Sequence, residues 1–332
     1  MSISLVAILT IHSLCSVSYP KTIWSYWEGK LTRFVQEVKS NTTVKLGKTW
    51  KYNMYTQDNI SLRIPIHTTP SFYSSLYPQL KSDYIRMRLI NENGGWWMDT
   101  PTLINSKDVF DHLYFSAKRA EADFLGFHTE LEQGYEYFET GLFYAPENST
   151  LVREWLSELE YMFSMGISKY IYHARREGVF IPPTLFHPYP VVDSYFAVYA
   201  CGSVAIQRKI PRRTKLLSYS VTDYFYQMIT DCRWNRKCVR RKTFSEQERE
   251  VYSVIKYNWP ARLWVDPEYV KTFGSVENRK VIQRERSVPK DLSVASQLHT
   301  FFYIPTSFVL ITSMASVGRK LTLFLFTKKH KP

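Results

Sequence analysis

An α/β fold with a mostly parallel central sheet is what this 332-residue sequence predicts, and three observations predict it. Short apolar or aromatic runs alternate with amphipathic stretches, and strands alternating with helices give a largely parallel sheet covered by helices. The pair Gly94-Gly95 separates an amphipathic stretch from the aromatic run Trp96-Trp97-Met98. Glycine accepts the positive φ that a helix stop and chain reversal require. An acid, Asp99, follows that run directly, and a carboxylate just past the carboxyl end of an α/β strand sits where such folds generally bind ligands.

Taken in order, the elements are a strand near 20–25, a helix near 30–40, a strand near 50–55 and a short Pro-bounded segment. A helix through Lys81–Ile90 and the strand Trp96–Met98 come next, followed by strands over Asp123–Phe127 and Gly141–Ala145. Ser149 to Phe163 predicts a helix capped by Ser149 or Asn148, with Trp155, Leu156, Leu159 and Met162 as its apolar face. Residues 165–190, which carry Pro and His, are expected to form a loop on the acceptor side of the site. Beyond 245 helices and loops are expected, without a dependable pattern.

Within the helix before Gly94, Asp83 and Arg86 are three positions apart and share a face, while Ile85, Leu89 and Ile90 supply a buried stripe. Asp99 is the leading candidate for chemistry. The structural alternative is a solvated ion pair on a helix, followed by an ordinary surface turn.

The run Ser82-Asp83-Tyr84-Ile85-Arg86, then Gly94-Gly95, Trp96-Trp97-Met98 and Asp99, resembles the capsular-polysaccharide-synthesis glycosyltransferases. The initiating mannosyltransferases of yeast type and the large clostridial glucosylating toxins are their relatives. Upstream, Pro20-Lys21-Thr22-Ile23-Trp24 with Trp27 and Gly29, and Lys51–Tyr55 with Asp58-Asn59, are similar to the family's first two strands. Downstream, Glu139–Pro146 and Asp193-Ser194-Tyr195-Phe196 are similar more loosely. The resemblance spans about residues 20–200 and is strongest between 81 and 102.

It implies a GT-A-like, Rossmann-type nucleotide-sugar-binding domain and an enzyme that transfers a sugar, with retention, from a UDP- or GDP-sugar to a glycan or other hydroxyl acceptor. By the same resemblance Asp83 and Arg86 hydrogen-bond donor sugar hydroxyls, and Trp24 stacks near the base. Gly95 and Trp97 belong to the donor site, Asp99 holds the metal or the donor's ribose and phosphates, and Asp193 is a third acidic position of metal, acceptor or helix-cap type. His128, His173 and His187 are further ligands or bases, or plain packed rings. The family tip is Asp-x-Asp, whereas this sequence reads Asp99-Thr100-Pro101-Thr102. A divalent cation, Mn²⁺ or Mg²⁺, would therefore rest on one acid plus the diphosphate, or basic side chains would neutralise the leaving group instead. Pro101 also keeps alive a non-catalytic, glycosyltransferase-like binding protein.

Composition excludes a disordered chain, being 45% hydrophobic and 16% aromatic. The formal charge of +13 is local. It gathers at Arg208, Lys209, Arg212, Arg213 and Lys215, again at Arg233, Arg236, Lys237, Arg240, Arg241 and Lys242, and near the end at Arg319, Lys320, Lys328, Lys329 and Lys331. Such patches suit phosphate, acidic glycans, an anionic membrane surface or nucleic acid, and they leave a basic membrane-surface or nucleic-acid-binding protein as a rival reading. No nucleic-acid motif accompanies them, so a nucleic-acid partner is not expected.

The apolar stretch Ile3–Val17 suits the core of a signal peptide, and Phe301–Val317, followed by Gly318-Arg319-Lys320, suits a membrane segment with a basic tail or an interfacial helix. The expected organisation is thus residues 1–18 as signal peptide or anchor, 19–298 as the transferase domain and 299–332 as a membrane-associating tail, in a secretory lumen or membrane such as the Golgi. Cys232 and Cys238 could close a small disulfide loop there, or stay free and buried. Three Asn-x-Ser/Thr sequons, at Asn41, Asn59 and Asn148, are compatible with that compartment.

Overall fold

Parallel pairing of two strands close in sequence starts the sheet. A computed structural model describes residues 17–130, 136–181, 190–233, 235–244, 251–257 and 290–293. Strand β1 (Thr22–Trp27) and β2 (Lys51–Thr56) run side by side in register from Thr22 with Lys51 to Trp27 with Thr56. Between them lies helix α1 (Arg33–Leu46), whose first turn is closed by the Thr32 hydroxyl accepting from the Val35 N–H. Three short 3₁₀ turns between Ile60 and Ser75 form the Pro-bounded segment. They lead into α2 (Pro78–Asn93), which starts on a proline at its first position, where the missing N–H costs nothing.

Strand β3 (Gly95–Met98) follows, then β4 (Thr102–Ile104), α3 (Asp108–Ala120), β5 (Phe124–Glu130) and β6 (Glu136–Ala145). Helix α4 (Thr150–Met165) is capped by Ser149, as expected, with its hydroxyl accepting from Val152 N–H at 3.2 Å. Asp123 adds to the cap by accepting from the N–H groups of Thr150 and Leu151. After it come α5 (Ile167–Arg176), α6 (Pro190–Val204), β7 (Lys215–Ser220), α7 (Gln227–Asp231), α8 (Arg236–Phe244), β8 (Val254–Lys256) and β9 (Lys290–Ser293).

Seven strands join in the order β2-β1-β3-β6-β5-β7-β9. Strand β1 is parallel to β2 and β3, β6 is antiparallel to both β3 and β5, β7 is parallel to β5, and β9 is antiparallel to β7. Five of the seven therefore share one direction, the mostly parallel sheet that was expected, with β6 reversed inside it and β9 reversed at the edge. A separate pair, β4 with β8, lies beside it.

Side chains alternate between two faces along each strand. Trp24, Tyr26 and Trp97 point to the face covered by α2, α4 and α6, whereas Ile23, Trp96 and Met98 point to the face covered by α3. Every residue of β3 is buried because the strand is central.

Three expectations need correction or bounds. Residues 165–190 are not simply a loop: α5 occupies Ile167–Arg176, burying Tyr170, Ile171 and Ala174 at helical spacing. The stretch beyond 245 contributes strands to both sheets. Residues 3–16 and 299–332 lie outside the described residues; among the described residues no helix is long and apolar enough to cross a membrane. Cys232 and Cys238 are joined in a disulfide, while Cys201 is a buried free thiol.

Candidate active site

The turn between α2 and β3 is set by its two glycines. Gly94 ends α2 with φ +59°, its N–H bonding to Ile90 O at 2.8 Å. Gly95 has φ +102°, and a Cβ there would stand 2.5 Å from Thr22 O. Only glycine lets β3 start this close to β1. Strand β3 then places Trp97, and Asp99 just past its carboxyl end, on the face that α2 covers. From α2, Asp83 and Arg86 turn inward onto the same place.

These residues are bonded to one another. Arg86 Nη1 lies 3.1 Å from Asp83 Oδ1, and Arg86 Nη2 lies 3.0 Å from Asp99 Oδ1. That same Asp99 oxygen accepts from Trp97 Nε1 at 2.8 Å, and the Arg86 guanidinium sits 5.2 Å from the centre of the Trp97 ring. The other carboxylate oxygen, Asp99 Oδ2, is 3.0 Å from Lys256 Nζ. Lys256 donates in turn to Glu139 Oε1 at 3.1 Å, an oxygen that also accepts from Gly141 N–H and Tyr199 Oη. Backbone bonds from Asp99 N–H to Gly141 O and from the Thr100 hydroxyl to Tyr26 O fix the tip.

Side-chain exposure separates the members. Asp83, Arg86, Glu139 and Lys256 are 4–9% exposed, whereas Asp99 is 22% exposed. Asp99 is therefore the member that opens toward solvent. Asp83 Oδ2 and Arg86 Nε are buried without a hydrogen-bond partner among the described residues, and such orphaned groups are costly unless something fills them.

Three acids and two bases share this low-dielectric space, and the surplus negative charge falls on Asp83. Burial first, then Asp99 and Glu139, push its carboxyl up to about 7, against the opposing pull of Arg86 and Lys256. Burial also raises Asp99, but Lys256, Arg86 and the Trp97 N–H more than offset it, and the carboxyl falls below its ordinary value. Burial would lower Lys256, yet Asp99 and Glu139 outweigh it and hold the ammonium charged well above its ordinary range.

A hard divalent cation needs several oxygen ligands. The expected donor, Asp99, has both oxygens committed to cationic nitrogens at 3.0 Å, and position 101 is proline. Among the described residues no cluster of three His, Cys, Asp or Glu could hold a metal ion. Among the described residues the donors do not fit a divalent cation.

The structure thus brings together Asp83, Arg86, Trp97 and Asp99, with Gly95 as the hinge of their turn. Trp24 pairs with Trp97 across β1 and β3 on the same face, but its indole N–H reaches away from Asp99, to the turn at Gly94. Trp24 is buried, its Nε1 donating to Gly94 O at 2.8 Å, and it lines a cleft of about 340 Å³ with Thr22, Lys51, Asn53, Tyr55 and Arg63, toward the amino ends of β1 and β2. Asp193 falls in α6, with its side chain outside the described residues, as is all of His187. His128 is buried in β5 against the Ser218 hydroxyl, and His173 is exposed on α5.

Of the basic clusters, the one at 208–215 is exposed and partly compensated by Lys209 with Glu158 and Lys215 with Glu121. In the second, Lys242 pairs with Asp231. Sequence reasoning missed Lys256 altogether, read Glu139 only as part of a strand and turn, and named Trp27, the half-buried aromatic at the carboxyl end of β1, only as part of the first strand.

An α/β sheet that presents a carboxylate at a central carboxyl edge, gripped by buried cations, concentrates charge where such folds generally bind ligands. The family model described as "Capsular polysaccharide synthesis protein" matches residues 11–164. Over that stretch, a little under half of its length, the chain is similar to the capsular-polysaccharide-synthesis family. The match takes in Asp83, Arg86, Trp97, Asp99 and Glu139 and stops before Lys256.

Among solved structures, the chain is similar to a glycosyltransferase involved in the glycosylation of the major capsid of PBCV-1, at 12% identity and a TM-score of 0.38, covering 77% of this chain and 98% of that one. It is similar to the glycosyltransferase GlyE of Streptococcus pneumoniae TIGR4, at 11% identity and a TM-score of 0.42, covering 78% and 61%. It is similar also to the PaToxG glycosyltransferase, at 10% identity and a TM-score of 0.34, covering 77% and 88%. No curated protein matches the chain.

Proposed function

We propose that the chain transfers a sugar from a UDP- or GDP-sugar to a hydroxyl of a glycan or similar acceptor. The observation that carries this reading is the meeting of Asp83, Arg86, Trp97 and Asp99 at the carboxyl end of β3. The orphaned Asp83 Oδ2 and Arg86 Nε support a role in binding donor sugar hydroxyls. Base stacking, which the resemblance gives to Trp24, we assign instead to Trp27, the half-buried aromatic that ends β1.

In the reaction the acceptor oxygen bonds to the anomeric carbon while the bond from that carbon to the diphosphate oxygen breaks. Its electron pair leaves on the diphosphate, and the acceptor's proton passes to that leaving group. Retention, which the resemblance implies, would bring the acceptor to the face the diphosphate leaves. The charge that develops on the diphosphate is what preorganised cations stabilise.

An oxidising secretory compartment is the proposed location, supported by the Cys232–Cys238 disulfide. A transferase domain reaching about residue 298 is supported by β9, whose residues Lys290–Ser293 close one edge of the central sheet.

The test is a screen of UDP- and GDP-sugars for turnover by the full chain, wild type against Asp99→Asn. One donor should be consumed, and Asp99→Asn should lower its turnover by about 10²–10³-fold. If no donor is consumed while a nucleotide sugar still binds, the protein is a non-catalytic glycosyltransferase-like binder.

A further inference from the structure

The missing second acid and the buried Lys256 occupy the same place. Strand β8 pairs with β4 so that Lys256 stands opposite Thr102, and Tyr257 N–H bonds to Pro101 O at 2.8 Å. A neighbouring strand thereby delivers an ammonium beside the position where an Asp-x-Asp tip would carry its second carboxylate.

Lys256 is built into that place. Gly141 has no Cβ, and a Cβ there would overlap Lys256 Nζ and come within 2.9 Å of Asp99 Oδ2. Glu139, itself held by Gly141 N–H and Tyr199 Oη, gives the ammonium a second anchor. An ammonium has three N–H groups. Two of them point to Asp99 and Glu139, and Asp99, to which the ammonium is bound, is the member of the cluster most open to solvent.

We propose that Lys256, together with Arg86, supplies the positive charge that stabilises the departing diphosphate, so that sugar transfer runs without a divalent cation. The proposal rests on the glycosyl-transfer reading. Two monovalent cations fixed by Asp99 take the part of one divalent ion, and the bonds made and broken are those already given. In this reading Asp99 orients the two cations rather than binding metal.

The experiment uses the full chain stripped with EDTA, then titrated with Mn²⁺ or Mg²⁺, following donor turnover together with UDP and GDP binding by calorimetry. Wild-type turnover should be the same with EDTA as with Mn²⁺. Lys256→Met should lower kcat about 100-fold with a smaller change in KM, and Lys256→Arg should restore part of the loss. Turnover abolished by EDTA and restored by Mn²⁺ would overturn this proposal and leave glycosyl transfer standing. Absence of both turnover and nucleoside-diphosphate binding under every condition would overturn the two together. If Lys256→Met does not fold, the wild-type response to EDTA and the kcat of Lys256→Arg decide.

Discussion

The two ends of one sheet face hold similar residue types and solve different problems. At the carboxyl end of β3, Trp97, Arg86 and Asp99 meet with Lys256, and the cluster leaves two buried polar atoms without partners. Toward the amino end, Trp24 meets Tyr55, stacked with ring centres 6.2 Å apart, and Arg63, 5.7 Å above its ring, and its one N–H is satisfied by Gly94 O. The first tryptophan orients a carboxylate and the second pins a turn. Both ends hold a buried polar atom without a hydrogen-bond partner among the described residues, Asn53 Nδ2 at the amino end included, so what sets them apart is the charge concentrated around Asp99.

The turn that joins the two ends is where the comparison breaks most easily. Gly95→Ala puts a Cβ 2.5 Å from Thr22 O at a φ of +102°, and it should cost about 2–4 kcal/mol of stability, read as a lowered midpoint in urea. Both ends should suffer, since the change displaces β3 against β1.

At the charged end, Asp83 gives a pH signature that the amino end lacks. Its folded-state carboxyl is raised to about 7 from an ordinary value of 3.8, so the folded protein binds a proton that the unfolded chain gives up. Stability from this group is full below about pH 4 and is lost as pH rises toward 7, by on the order of 2–4 kcal/mol. Asp83→Asn should remove that slope, measured as the difference in unfolding free energy between pH 5 and pH 8. A slope equal to wild type would mean that Asp83 is not the group carrying the surplus charge.

What the sequence shows of this site is what lies contiguous in it. Helix α2, the glycine turn, β3 and Asp99 occupy one short run, and their periodicity and glycine chemistry can be read directly. Strand β1, β2 and the capped helix α4 are legible for the same reason. Lys256 is not, because it comes from a three-residue strand 117 positions beyond Glu139 and only the β4–β8 register brings it to Asp99. The four-residue edge strand β9 gives an equally weak local signal. Helix α5 was obscured by the Pro- and His-bearing stretch around it, although Tyr170, Ile171 and Ala174 have helical spacing.

The smallest expected effect separates the two tryptophans most sharply. Trp24→Phe keeps a ring over Tyr55 but leaves Gly94 O without its donor, a buried acceptor whose loss should cost about 1–2 kcal/mol. Turnover per folded molecule should then stay near wild type, because nothing at Asp99 has changed. Trp97→Phe removes one donor from Asp99 Oδ1 while Arg86 keeps its bond to the same oxygen. Stability should fall by about the same amount, but kcat should fall about tenfold, since the carboxylate between the two cations is less firmly aimed. The measurement is paired, with unfolding midpoint and kcat taken on each variant. If Trp24→Phe lowers kcat as far as Trp97→Phe does, the amino-end cleft belongs to the donor site and the division between the two ends fails.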